Sequence, residues 1–301
     1  MVTSLLNDGV NDTLCGVITT FFATLFLTMN IIILHLLNTR KTQFNAPVYH
    51  QLFHMGINDC MQLSIHTIGG FCILLQYDLP DTLNKVFGAI INCAWFSWIA
   101  FSYSLSFNRF LAFCYPRYYD TFFSKRNTRY QIAACWTAML FTLVIYLSPF
   151  CTMQFYRLTF EWQYNKSTPW HSILHESELY WACLMMPLSF INYGFIVIRM
   201  KSMNKASNIR RRGKQEIRVC IQAACLCIYT TFVQLHWHFQ EYYMPTSRYS
   251  NLSANSMWVF NCGMNPILCL TVNLSIKNAF LDLIHVKKQK TCITVTIAPY
   301  S

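Results

Sequence analysis

Hydrophobic and charged residues are strongly segregated along this chain. Apart from one acid, Asp59, seven stretches contain no Asp, Glu, Lys or Arg: 13–39, 42–77, 86–108, 130–156, 179–198, 219–240 and 249–276. Each is about 20 residues or longer, which is the length that an α-helix needs to cross the apolar core of a bilayer. Backbone groups in lipid must be paired within the segment, so each stretch is predicted to be a helix. The roughly ten-residue alternating segments of a membrane β-barrel are missing.

The pattern predicts an all-α membrane protein: a seven-transmembrane helix bundle with a short amphipathic eighth helix. We expect an N-terminal segment at 1–15, the bundle at 16–273, and the amphipathic helix and tail at 274–301. The spans are expected at about 16–38, 48–75, 86–113, 130–151, 179–200, 218–240 and 250–273. From Leu274 to His285, apolar residues lie on one helix face and polar residues on the other, which is typical of a helix on a membrane surface.

The composition excludes an ordinary soluble domain. Hydrophobic residues make up 54% of the chain and charged residues 12%, whereas soluble domains contain about 25% charged residues. The net charge of +11 does not indicate nucleic acid, because the basic residues lie in loops between the spans. The 14 cysteines are spread along the chain, several of them inside apolar stretches. We therefore expect small apolar side chains in helix packing rather than a disulfide framework.

The loops alternate in charge and thereby predict the orientation. Most of the 23 Lys and Arg residues lie in the first, third and fifth loops and in the C-terminal tail. Basic loops stay in the cytoplasm, and the number of spans is odd, so the N-terminus is expected outside the cell. Three glycosylation sequons, at Asn11, Asn165 and Asn251, then fall on the outer face, and Asn11 and Asn165 are the expected sites of glycosylation. No cleavable signal peptide is expected, and the first span is expected to act as the signal anchor.

Polar residues inside the spans mark the faces that turn away from lipid. Asp59 is the only acid deep in a span, where a charge costs about 2.5–3.5 kcal/mol on insertion scales. We expect an interior cluster of Asp59 with Asn30 and Asn265. Asn265 precedes Pro266, which frees a backbone carbonyl and permits a kink. Two interpretations stay open: the cluster only fixes packing, or it also rearranges during function, around a bound cation.

A second polar motif lies at the cytoplasmic end of the third span. Arg109 sits between Asn108 and Phe110, and Pro116 follows in the next loop. An isolated Arg at this depth is compatible with a side chain that reaches the interface and only marks the end of the span. The neighbouring residues favour a functional motif instead.

Predicted helices one, two, three, four, five and seven each contain a distinctive residue or pair. In chain order these are Asn30, Asp59, Arg109, Trp136, Pro187 and Asn265-Pro266. In that order they resemble the landmarks of the rhodopsin-like G-protein-coupled receptors, with Arg109 and Pro116 similar to the Asp-Arg-Tyr motif and its loop proline. Among these receptors the chain resembles the nematode serpentine chemoreceptors. The stretch from Val48 to Asp59 and the motif Asn108-Arg109-Phe110 look most like serpentine receptor class T. The resemblance covers about residues 15–285.

Several positions depart from the pattern of that superfamily. Asn108 stands where an acid restrains the Arg, and Cys269 stands where the Asn-Pro-x-x-Tyr motif has its Tyr. The sixth span has no Pro, so the usual hinge is missing. Asn84 lies where helix three would have a Cys at its outer end, and residues 152–177 of the second outer loop contain no Cys. This puts the usual disulfide in question.

The resemblance implies a chemosensory receptor at the plasma membrane, with the sensory cilium as a candidate location. It would transmit the binding of an external small ligand to a cytoplasmic heterotrimeric G protein by a population shift, with no enzymatic activity and no cofactor. The coupling and activation residues would be Asn108, Arg109, Phe110, Pro116, Asn265, Pro266 and Glu216. Candidate ligand contacts, each also compatible with packing alone, are Asn92, Trp95, Tyr180, Gln234, His236 and Trp258.

Two other classes of function stay open. A channel or transporter typically has internal repeats or paired broken helices, which this sequence lacks, and ligand-gated current without a G protein would favour it. A membrane metalloenzyme needs clustered histidines on one membrane face. His50 and His54 have i,i+4 spacing but lie toward the cytoplasm, whereas His236 and His238 lie toward the outside. One metal ion cannot join the two pairs.

The resting state of such a receptor needs a restraint on Arg109, because Asn108 offers no ion pair. Glu216 is the only acid at the cytoplasmic start of the sixth span, within a basic run from Lys201 to Arg218. One hypothesis is that Glu216 pairs with Arg109 when the receptor is off. The other is that it pairs with Arg212, one helical turn earlier, and has no part in signalling.

Overall fold

The computed structural model describes residues 11–204, 211–245 and 247–293, without the side chains of 202–204, 211–216 and 285–293. Its helices are α1 (Asp12–Thr39), α2 (Pro47–Leu74), α3 (Asp81–Cys114), α4 (Pro116–Phe122), α5 (Lys125–Leu147), α6 (His171–Asn204), α7 (Arg211–Tyr243), α8 (Arg248–Thr271) and α9 (Leu274–Ile293). Two strands, β1 (Met153–Tyr156) and β2 (Glu161–Tyr164), form an antiparallel hairpin between α5 and α6. The seven predicted spans correspond to α1, α2, α3, α5, α6, α7 and α8.

Capping residues explain where several helices begin. Asn11 caps α1, and its Oδ1 accepts a hydrogen bond at 3.1 Å from a backbone N–H of the first turn. Ser124 and Ser247 cap α5 and α8 in the same way. Helices α2 and α4 begin instead with Pro47 and Pro116, where a missing N–H costs nothing and the fixed φ suits the first turn.

Length and apolarity agree with a bundle that crosses a membrane. In the described chain, α1, α3, α5, α6 and α7 are each long and apolar enough to be a span, and α8 meets this test together with α9. Helix α2 is more polar because it carries Gln51, Asn58, Asp59, Gln62 and His66. All five of these side chains are at most 1% exposed. This confirms that α2 turns its polar face into the bundle.

The contact between α1 and α2 depends on a residue without a side chain. A Cβ atom at Gly70 of α2 would lie 2.4 Å from Thr20 Oγ1 and 2.9 Å from the backbone nitrogen of Thr20. Any larger residue would therefore push the two helices apart, as is typical of small residues at helix contacts in membranes. On the outside of the bundle, Phe21, Val144 and Ile198 are exposed, as expected for side chains that face lipid.

The β-hairpin is an addition to the predicted all-helical fold. Helix α5 ends at Leu147 rather than near 151, because Pro149 disfavours helical backbone at the preceding residue. The chain then pairs Met153 with Tyr164 at one end of the hairpin. The apolar run 130–156 extends through this boundary, so charge segregation alone did not reveal where the helix stops.

A side chain of helix α3 binds the backbone of strand β1. The side-chain amide of Asn84 donates to the carbonyl of Phe155 at 3.0 Å, and its Oδ1 accepts from the N–H of Phe155 at 2.7 Å. One turn further along α3, a Cβ atom at Gly88 would lie 1.9 Å from the carbonyl oxygen of Met153. Cys151, just before β1, is free. A pair of hydrogen bonds thus attaches the hairpin to the start of α3.

Arg248, at the start of α8, fastens the turn of the hairpin. Its side chain is buried, and its Nε donates to the carbonyl of Leu158 at 2.8 Å. The guanidinium also bonds to Asp12 in α1 and lies 4.3 Å from the centre of the Phe160 ring. The hairpin is therefore tied to α1, α3 and α8 and covers the end of the bundle at which α1 begins.

Helix α9 confirms the expected amphipathic segment. It is bent by 79° from α8, so it leaves the direction of the spans. Ile276 and Ala279 are buried, whereas Lys277 is exposed. An ion pair of 3.2 Å joins Arg40, directly after α1, to Asp282, which places α9 against the C-terminal end of α1.

Candidate functional site

A buried polar cluster lies at the middle of the bundle. Asp59 is fully buried, and the amide of Asn265 donates to its Oδ2 at 3.2 Å. Asn30 does not bond to this pair directly. Its amide donates at 3.1 Å to the carbonyls of Phe26 and Cys262. The cluster therefore joins α1, α2 and α8, partly through backbone.

The bond from Asn30 to Cys262 has a simple cause in Pro266. A proline has no N–H and cannot bond to the carbonyl four residues earlier, which in α8 is that of Cys262. Buried in a span, this carbonyl needs another donor, and Asn30 of α1 supplies it. The proline thus couples α8 to α1 as well as permitting a kink.

The inner motif has an unexpected contact. Arg109 is only 2% exposed, so it does not reach out to the interface in this conformation. Its Nε donates to Asn108 Oδ1 at 3.1 Å, and a second guanidinium nitrogen bonds to the same oxygen. An uncharged amide at this position therefore still binds the guanidinium, although without an ion pair.

The other predicted coupling residues surround this Arg. Phe110 packs against Phe195 of α6 and against Tyr115, with ring centres 5.9 and 5.5 Å apart. Pro116 begins α4 in the second inner loop. Glu216 belongs to the backbone of α7, but its side chain lies outside the described residues.

Four of the six candidate ligand residues come together in the outer half of the bundle. Trp95 Nε1 donates to Gln234 Oε1 at 3.1 Å, and the rings of Trp95 and Trp258 are 5.5 Å apart. Asn92 lies one turn before Trp95 on the buried side of α3. These residues bring α3, α7 and α8 together around one interior point.

The other two candidates lie elsewhere. Tyr180 is 66% exposed and lines an apolar groove between α5 and α6 on the outside of the bundle, with a cavity volume of about 540 Å³. His236 is buried but bonds to Tyr243 and, at 2.9 Å, to Ser253. It joins α7 to α8 and stands apart from the interior group.

A buried acid completes the interior group. Glu178 of α6 is 4% exposed, and its Oε2 accepts from the Tyr164 hydroxyl at 3.0 Å. Asn92 donates to the hydroxyls of Tyr146 and Tyr164, each at 2.7 Å. Glu178 directly precedes the fifth apolar stretch and was not among the predicted site residues. That position on the edge of the stretch was the one available signal.

Two cavities adjoin this group. The larger, of about 320 Å³, opens between β2, α6 and α7, and its lining residues include Tyr164, His175, Trp237 and Glu241. The smaller, of about 10 Å³, lies deeper and is lined by Trp95, Glu178, Val233, Gln234, Trp237 and Trp258. Trp237 lines both cavities and therefore separates them. The larger one has the size of a small-molecule site.

Glu161 lines the larger cavity from the hairpin. Burial raises the pKa of Glu161 to about 7, because removing a carboxylate from water disfavours its charged form. Asn251 donates to its Oε1 at 2.6 Å. The hairpin therefore contains a carboxyl group that titrates close to neutral pH.

The predicted glycosylation residues both lie at the same end of the bundle as the hairpin. Asn11 caps α1. Asn165 follows β2, and its Oδ1 accepts from the N–H and the hydroxyl of Ser167 at 3.0 and 2.7 Å. The histidines considered for a metal site lie apart: His54 accepts from Trp136 at 3.1 Å, far from His236. In the described ranges no group of three or more His, Cys, Asp or Glu is placed to hold a metal ion.

Comparison with known families decides what this arrangement belongs to. The family of serpentine type 7TM GPCR chemoreceptors, Srt, has a model that matches residues 3–292. The chain belongs to the Srt family. This confirms the resemblance noted in the sequence, and with it a G-protein-coupled receptor of chemosensory type that passes the membrane several times.

The Srt receptor also has a similar solved structure. The crystal structure of squid rhodopsin superposes with a TM-score of 0.72 over 98% of this chain and 90% of that one, at 14% sequence identity. At that identity the similarity establishes the seven-helix fold alone. No curated protein matches the sequence.

Proposed function

We propose that this receptor binds a small external ligand at the interior group around Trp95, Glu178 and Trp258, and activates a heterotrimeric G protein at the inner motif around Arg109. We propose that the receptor lies in the plasma membrane with its N-terminus outside, and that the sensory cilium is its location. The protein acts without catalytic activity or cofactor. The lipid bilayer is its solvent, and nucleic acid is not a partner.

One contact carries this proposal. Trp258 Nε1 donates to Gln62 Oε1 at 2.7 Å, so α8 at the ligand group is bonded to α2 about one turn from Asp59. Asn265, two turns further along the same α8, bonds to Asp59. A ligand that moves Trp258 thereby acts on the polar cluster through α2 and α8. A population shift toward the active state requires only that the ligand bind that state more tightly.

At the inner end, Arg109 is the proposed contact to the G protein. In the active state its guanidinium would leave Asn108 and make charge-assisted hydrogen bonds to backbone carbonyls of the partner. Arg109→Ala should abolish G-protein activation in cells while surface expression is largely kept. Arg117→Ala, which removes one exposed positive charge from the same face, is the matched control and should retain coupling. Equal activation in wild type and Arg109→Ala would reduce Arg109 to a structural role.

The orientation is tested separately. An epitope tag at Val2 should be stained on intact cells, and a tag after Ser301 only after permeabilisation. Glycosidase treatment should increase gel mobility through sugar lost from Asn11 or Asn165, and the double Gln variant should show no shift. The reverse staining pattern would overturn the proposed topology.

A further inference from the structure

The buried acid Glu178 has no cationic partner in the described part of the chain. The ion pairs there join other residues, and the hydrogen bond to Glu178 comes from the neutral Tyr164 hydroxyl. Burial opposes the ionisation of a carboxyl group unless a partner of opposite sign compensates for the lost water. Glu178 is therefore a candidate for an anion whose counter-ion arrives from outside.

The hydrogen bonds around Glu178 all run toward it. The Asn92 amide group donates to both tyrosine hydroxyls, and the two hydroxyl oxygens are 2.6 Å apart. Tyr164 gives its proton to Glu178, so its oxygen can only accept from Asn92 and from Tyr146. These donors favour the ionised carboxylate, whereas its burial opposes ionisation until a cation is bound.

Aromatic rings form the walls beside this carboxylate. Trp95, Trp237 and Trp258 line the same small cavity as Glu178, and the rings of Trp237 and Trp258 are 5.6 Å apart at an angle of 77°. The faces of Trp rings attract cations. A carboxylate beside several Trp rings is a combination that recognises an ammonium group.

Access to Glu178 leads through the larger cavity. The small cavity, about 10 Å³, holds at most one water molecule. Tyr164 and Trp237 line the cavity of about 320 Å³ directly outside it. A ligand in the outer cavity would therefore reach Glu178 by displacing the Trp237 ring, and Trp237 is in ring contact with Trp258 of α8.

We propose that the ligand of this receptor is a small organic cation, an amine or quaternary ammonium compound, with its charge held by Glu178 and the rings of Trp237 and Trp258. The inference rests on the proposed function, because it names the ligand class of the same site. Binding supplies the missing counter-ion and rotates Trp237 against α8, which joins recognition to the helix that contains Asn265.

The test uses the full-length receptor in nanodiscs with a heterotrimeric G protein, and measures nucleotide exchange. The panel consists of monocations at up to millimolar concentration, each with an uncharged analogue of the same shape; it includes choline with 3,3-dimethylbutanol, and 2-phenylethylamine with 2-phenylethanol. At least one cation should activate, with its neutral analogue weaker by about tenfold or more. In Glu178→Gln its half-maximal concentration should rise by about tenfold or more. Glu176→Gln, which removes an exposed charge from the same helix, should respond like wild type.

A second pair of variants covers the case that Glu178→Gln does not fold. Trp237→Phe keeps an aromatic face and should retain most of the response, whereas Trp237→Leu should lose it. Equal potency of neutral analogues, activation by uncharged compounds only, or an unchanged response in Glu178→Gln would overturn the ligand class. The ligand class would also be overturned if the wild-type receptor showed basal nucleotide exchange above that of Arg109→Ala and no cation changed it. Exchange equal to that of Arg109→Ala under all conditions would instead overturn the proposed receptor function.

Discussion

At the scale of single residues, the contacts of Asp59 indicate its role inside the bundle. Asp59 accepts a hydrogen bond from Asn265 through one carboxylate oxygen, and an amide at position 59 would keep an acceptor there. A negative charge at this depth would be costly, so an acid rather than an amide at this position requires an explanation beyond packing. We propose that it takes part in the change between resting and active states.

Asp59→Asn should therefore separate folding from signalling. We expect the variant to reach the cell surface at close to wild-type levels and to activate the G protein several-fold less. Asp59→Leu, which removes both charge and hydrogen bond, should lower surface expression as well, because it leaves the Asn265 amide buried and unpaired. Normal signalling by Asp59→Asn would show that the charge has no part in the mechanism.

Glu161 gives the outer loop a predictable pH dependence. Its pKa is about 7 in the folded protein against 4.5 for an unperturbed Glu, so the folded state binds the proton more tightly. Its contribution to stability is therefore greatest below about pH 4.5 and falls as the pH rises toward 7. Lowering the pH from 7.5 to 5.5 should raise the free energy of unfolding by about 1–2 kcal/mol through this group. Over the same change of pH, Tm should rise by a few degrees more in wild type than in Glu161→Gln. Parallel profiles of Tm against pH in the two proteins would contradict the raised pKa of Glu161.

At the scale of elements, the hairpin is the part of the fold with the most specific attachment. Asn84 makes two hydrogen bonds to the backbone of β1. Asn84→Ala leaves a buried carbonyl and N–H unpaired, which costs about 1–3 kcal/mol for each group. We expect a clear drop in Tm and faster proteolysis within 152–164. Asn278→Ala, at an exposed site in α9, is the control and should change stability by less than about 0.5 kcal/mol. Equal Tm values would show that other contacts hold the hairpin.

A second feature of the elements is the proposed ion pair between α3 and α7. We propose that Glu216 restrains Arg109 in the resting receptor, in addition to the bond from Asn108. A partly exposed pair contributes about 0.2–1 kcal/mol, so Glu216→Gln should raise basal G-protein activation by a few fold at matched expression. Arg212→Gln should have no such effect if the restraint is on Arg109. Unchanged basal activity in Glu216→Gln would favour local pairing within α7.

Some elements of this fold could be predicted from the sequence and others could not. The spans follow from charge segregation, because burying Lys or Glu in lipid is costly wherever it occurs. The hairpin does not, because its apolar residues continue the run of α5 without a break. Tyr180 and Glu178 lie two residues apart on α6, and only the packing of the hairpin and α7 decides that the acid is buried and the tyrosine faces lipid. An acid at the edge of a span otherwise looks like any loop residue.

At the scale of the whole molecule, the structure connects two ends of a membrane bundle. The end with the hairpin has a cavity of the size of a small ligand. The other end has a buried Arg, and a polar cluster on α1, α2 and α8 lies between the two. In a receptor of the Srt family, this organisation supports transmission from an outside ligand to an inside G protein.

Nucleotide exchange on a purified heterotrimeric G protein, measured with the receptor reconstituted in lipid, tests that claim most directly. A panel of small volatile and soluble compounds is screened against wild type and Arg109→Ala under identical conditions. The account predicts that at least one compound accelerates exchange with wild type, and that the same compound has no effect with Arg109→Ala. A ligand-evoked ionic current through the reconstituted protein in the absence of G protein, with no acceleration of exchange by any compound, would contradict it.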